Sequence, residues 1–95
     1  MMNKYESIFI IDTSLGEEAI KSAVEKIKTL IEENATLDSI DEWGVRKLAY
    51  EVKKRNEGYF ALVNFSAVPE FPKELERIFR ITDEVIKYII VKKDD

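Results

Sequence analysis

Apolar side chains recur along this 95-residue chain with two different periods, and the switches between them mark six elements. Lys4 to Asp12 alternates as a strand, rich in Tyr, Phe and Ile. Tyr5, Ser7, Phe9 and Ile11 share one face, and Glu6, Ile8 and Ile10 share the other. Both faces are apolar in the second half, as in a central strand. Ser14 followed by Glu17 is a capping-box pattern. The helix it starts runs to about Asn34, with Ile20, Ala23, Val24, Ile27, Leu30 and Ile31 in one stripe and a charged, solvated face opposite. Leu37 to Lys53 reads as a long, irregular strand, with Gly44 marking a bulge or a close backbone approach. Asn56-Glu57-Gly58 supplies turn chemistry, and Tyr59 to Ala67 returns as the second arm of an antiparallel hairpin. Val68 to Pro72 breaks the sheet, and Pro72 suits the first turn of a helix. That helix carries Leu75, Ile78 and Phe79, with Ile81 a candidate extension, and ends at Thr82-Asp83. Val85 to Lys92 is the last strand, before a polar Lys93-Asp94-Asp95 end.

The order strand–helix–strand–strand–helix–strand predicts a single α+β domain over residues 1–95 with the ferredoxin-like βαββαβ fold. Right-handed crossovers put both helices on one face of a four-stranded antiparallel sheet, with the first and third strands central. If Phe9, Ile11, Val63 and Phe65 pack under the helices, then Ile8, Ile10, Phe60 and Leu62 point to the open face, joined there by Ile89 and Val91. A contiguous apolar patch on an open sheet face is a partner surface. Reversed parity would make these six residues core instead, and homodimerisation through the sheet would also cover them.

Composition narrows the chemistry. Histidine and cysteine are absent, which removes the usual general base, thiolate chemistry and the commonest metal ligands. The serines have no partner to activate them. Glycines 16, 44 and 58 are isolated, so no phosphate loop is present, and Asp38, Asp41 and Glu42 read as a solvated strand entry. No catalytic residue, metal site or cofactor is expected. The only N-terminal apolar run, Ile8 to Ile11, is too short for a signal segment or a membrane span, so the expected location is cytoplasmic.

The net charge is −4, which opposes generic nucleic-acid binding. The distribution changes that picture. The stretch Glu42–Tyr59 holds five of the fifteen basic side chains and the only Trp. An acidic chain with a local basic patch binds RNA over a small footprint, with help from a partner. The element order is shared with the RNA recognition motif, but Glu57, Ala61 and Asn64 stand where that motif places a basic residue and aromatics. RNA contacts would therefore come from Arg and Lys at strand ends rather than from base stacking.

Tyr5-Glu6, the Gly44-Val45-Arg46-Lys47-Leu48-Ala49-Tyr50 block, Lys53, Gly58-Tyr59-Phe60 and Ile90-Val91-Lys92 together resemble the bacterial small-subunit ribosomal protein S6 family over essentially the whole chain. The resemblance implies a non-enzymatic constituent of the small ribosomal subunit, binding central-domain small-subunit ribosomal RNA jointly with ribosomal protein S18. By motif position it implies RNA contacts at Lys4, Tyr5 and Lys92, with the Arg46-Lys47 pair close by. S18 would dock on the open apolar face and, being basic, supply much of the phosphate neutralisation. Asn3 stands where some relatives carry a basic residue. Plainer readings exist for each: Tyr5 as a core residue, Arg46 paired with Glu42 or Glu51, Lys53 to Arg55 as a solvated tip, and Trp43 as a packing anchor. The alternative function is a small-molecule-binding regulatory module that dimerises through its sheet, with its ligand at the Thr13–Gly16 loop; an acylphosphatase-type enzyme ranks third, because Asp12 and Glu17 crowd the loop where its anion would bind.

Overall fold

In the computed structural model, which describes residues 2–93, strand β1 (Asn3–Ile11) leads through a short 3-10 turn (Thr13–Leu15) into helix α1 (Glu17–Asn34). Strands β2 (Thr36–Val52) and β3 (Arg55–Ala67) form the hairpin, followed by helix α2 (Phe71–Ile81) and strand β4 (Val85–Lys92). The sheet is antiparallel in the order β2-β3-β1-β4, so β1 and β3 are central as the sequence predicts. Asp94 and Asp95 lie outside the described residues.

The core forms where the apolar stripes of both helices meet one face of β1 and β3. Ala23, Val24, Ile27 and Ile31 of α1 and Phe71, Leu75 and Phe79 of α2 bury against Phe9, Ile11, Val63 and Phe65. Tyr5 stacks on Phe65 and Phe9 on Phe79, with ring centroids 5.5 and 5.3 Å apart. The parity read from the alternation therefore holds. Ser7, the one buried polar residue in this row of β1 below the Tyr5 ring, donates from Oγ to the Ile89 carbonyl at 2.8 Å, which makes its burial tolerable. Ile81 does not extend the α2 stripe; it is 62% exposed.

Three local expectations are corrected. The helix α1 cap is Gly16, with no side-chain bond; Ser14 instead donates from its backbone N and its Oγ to Asp12 Oδ1, at 2.9 and 2.8 Å, closing the 3-10 turn. The hairpin turns at Lys53-Lys54, not at Asn56-Glu57-Gly58: both lysines have positive φ (51° and 65°), and Val52 pairs with Arg55. Gly58 lies inside β3 and is buried, because a Cβ there would collide with the Ile10 side chain. The expected irregularity at Gly44 is present, with φ +84° and a register shift between Glu42 and Gly44.

Candidate RNA and partner interface

The open face is built by cross-strand pairs. Ile8 stands opposite Leu62 on one side and Ile89 on the other, and Ile10 stands opposite Phe60. Ile8, Phe60 and Leu62 are half-buried, while Ile89 and Val91 are 49% and 46% exposed. Ile10 differs: it is only 6% exposed, packed on Gly58 as the floor of a groove of about 320 Å³. Five of the six expected partner residues thus reach the surface, and the sixth supports them.

The groove has a wall that the sequence did not reveal. Lys47 pairs with Glu57 and Val52 with Arg55, so Leu48 to Glu51 bulge out opposite the single residue Asn56. This arc carries Leu48, Ala49 and Tyr50 to the rim of the groove. The Lys87 ammonium lies 4.7 Å from the Tyr50 ring centroid and donates to its hydroxyl, joining the arc to β4 across the open face. Alternation alone places Tyr50 on a flat strand; only the pairing with β3 reveals the bulge.

Beside the groove, Trp43 stacks on Phe60 at 6.3 Å, its Nε1 donates to Asp41 Oδ2 at 3.0 Å, and the Arg46 guanidinium lies 5.2 Å from its ring centroid. Trp43 is a packing anchor, and Arg46 rests on it rather than pairing with Glu42 or Glu51. Glu42 accepts instead from the Tyr59 hydroxyl at 2.8 Å; that bond, with burial, pushes the phenol up to about 12.

The expected RNA residues fall into two groups. Tyr5 pairs with Lys92, and Lys4 stands opposite Ser66, at the start of β1. Lys4 and Lys92 are exposed. The Tyr5 ring is core, 6% exposed, and its hydroxyl accepts from Asn3 Nδ2 at 3.3 Å. Arg46 and Lys47, both exposed, are not close by. Ser66 pairs on with Thr36, so the Lys4 end of β2 is Thr36, and Arg46 lies ten residues further along the strand, opposite Gly58. At about 3.3 Å per residue, less the bulges, that is roughly 25–30 Å. Antiparallel pairing through β3 sends the two groups to opposite ends of the sheet.

Arg55, the first residue after the hairpin turn, is held against the end of β1. Its Nε donates to Asp12 Oδ1 at 3.0 Å, the oxygen that also receives both Ser14 bonds. Burial raises the Asp12 carboxyl, but the Ser14 and Arg55 donors outweigh it and hold the group below its ordinary value. Among the described residues no group of three acidic side chains is placed to hold a metal ion, and no helix is long and apolar enough to cross a membrane.

A family model described as Ribosomal protein S6 matches residues 4–92. The chain is 57% identical over 94 residues to the small ribosomal subunit protein bS6 of Clostridium perfringens, covering 98% of this chain and 99% of that one. It is 55% identical, with the same coverage, to the bS6 protein of Clostridium kluyveri. The crystal structure of 30S ribosomal protein S6 from Thermotoga maritima superposes with a TM-score of 0.92 at 36% identity, covering 98% of this chain and 89% of that one. With the predicted fold and the open apolar face in place, the match closes the argument: this chain belongs to the ribosomal protein S6 family.

Proposed function

We propose that this chain binds central-domain small-subunit ribosomal RNA jointly with ribosomal protein S18. As a member of its family it is a structural, non-enzymatic constituent of the small ribosomal subunit and acts in the cytoplasm with the ribosome. The observation that carries the joint reading is the open sheet face: an apolar groove and exposed Ile89 and Val91, on an acidic chain with exposed lysines at the sheet's ends. A basic protein seated there buries the apolar surface and adds the positive charge that this chain lacks. Lys4 and Lys92 meet phosphates at one end, with the Tyr5 hydroxyl beside them, and Arg46 and Lys47 at the other. The small-molecule alternative is weakened at its own loop, because the Ser14 donors are already engaged by Asp12.

Filter binding to central-domain RNA at two salt concentrations, with and without S18, tests this. The expected result is strong, salt-sensitive retention only with both proteins. No retention in either format removes the reading.

A further inference from the structure

We propose that Lys53 and Lys54, the turn of the β2–β3 hairpin, form an additional phosphate-binding point for RNA; this rests on the RNA-binding reading above. Among the described residues they are the only non-glycine positions with positive φ. A two-residue turn of this hand is best served by Asn-Gly, and in a lysine it crowds Cβ against the following carbonyl. Local backbone preference therefore does not explain two lysines here, and such an outlier points towards function.

Their side chains are also available. Both residues are exposed, and among the described residues neither takes part in an ion pair or a side-chain hydrogen bond. The next cation, Arg55, is tied to Asp12. Glu51 and Glu57 line a cleft together with Lys54, but among the described residues neither comes within ion-pair distance of either lysine. The position suits a backbone contact. Pairing of β1 with β3 ends at Tyr59, so the hairpin projects past the central strand. The Arg55–Asp12 bond ties the residue next to the turn to the end of β1, and the Tyr50–Lys87 contact braces the hairpin's side. Two adjacent ammonium groups on a braced tip are point charges that meet phosphates without reading sequence. They lie at the same end of the sheet as Arg46 and Lys47.

The test is the double variant Lys53→Asn/Lys54→Gly, which removes both charges and relieves the turn. Its melting temperature is expected to rise, by something on the order of 5 °C. Its binding to central-domain RNA with S18 present is expected to weaken roughly tenfold near 0.1 M salt, with the salt slope reduced by about one to two. A Lys53→Arg/Lys54→Arg variant should bind like the wild type. Unchanged affinity and slope in the Asn-Gly variant would overturn the inference while leaving RNA binding by the wild type intact. A melting temperature that does not rise removes the strain argument and the inference with it. Weakened capture of S18 without RNA would reassign the tip to the protein partner. Failure of the wild type to bind RNA would remove both readings.

Discussion

Gly58 shows how one residue type serves two different needs. In the sequence, Asn56 and Gly58 suggest a turn, where glycine is useful for its backbone freedom. In the structure, Gly58 is useful for its missing side chain, because Ile10 occupies the space a Cβ would take. A sequence gives no sign of which need applies unless the cross-strand neighbour is known. Gly58→Ala should therefore destabilise the protein by about 1–3 kcal/mol through overpacking, measurable by urea denaturation. The Gly58 position also explains why Ile10 is buried on an otherwise open face. Asp12 is a second case: it was legible as the end of β1, but not as the acceptor of Ser14 and Arg55. Asp12→Ala should cost about 1–3 kcal/mol at neutral pH, since it leaves three donors without their acceptor. The folded carboxyl titrates below its ordinary value of 3.8, so its charge-dependent contribution is complete above that value and is lost as pH falls through the folded one. Wild-type and variant stabilities should draw together in denaturation series run into that acid range.

At the scale of elements, what was legible is what periodicity controls. The six elements, their order and the parity of β1 and β3 follow from period-2 and helical spacing, which local sequence determines. What was not legible depends on pairing between distant segments. Seventeen residues of β2 run opposite twelve of β3, and the excess is taken up at Leu37–Ser39, at Gly44 and above all at Leu48–Glu51. Only the Gly44 irregularity carries a mark in the sequence. The last bulge makes the groove wall, so the candidate partner surface was legible as a flat patch but not as a groove. Ile89→Asp tests that surface. Its side chain is half exposed, so the melting temperature should change little, while co-purification with S18 should fall at least tenfold as a charge is forced into an apolar interface.

At the scale of the whole molecule, the separation of the two basic groups governs how their effects combine. Lys92 and Arg46 share no partner and lie at opposite ends of the sheet. Charge removal at each should weaken RNA binding by about 1–3 kcal/mol. In the Lys92→Ala/Arg46→Ala double variant the losses should add within about 0.5 kcal/mol, read from filter-binding titrations with S18 present. The residue types were legible, but Lys92 ends its strand while Arg46 lies inside β2. Their separation was not, because it follows from the path of the chain through β3.

The bulges of β2 also bear on self-association. β2 is an edge strand of seventeen residues, long enough to template another chain. Its register with β3 shifts three times, so no regular run between Ser39 and Lys47 exceeds four residues, and the arc from Leu48 to Glu51 leaves the ladder altogether. A second chain approaching that edge finds no straight row of donors and acceptors to extend. The distortion that shapes the groove thus also helps keep a strand-rich protein from polymerising through its long edge.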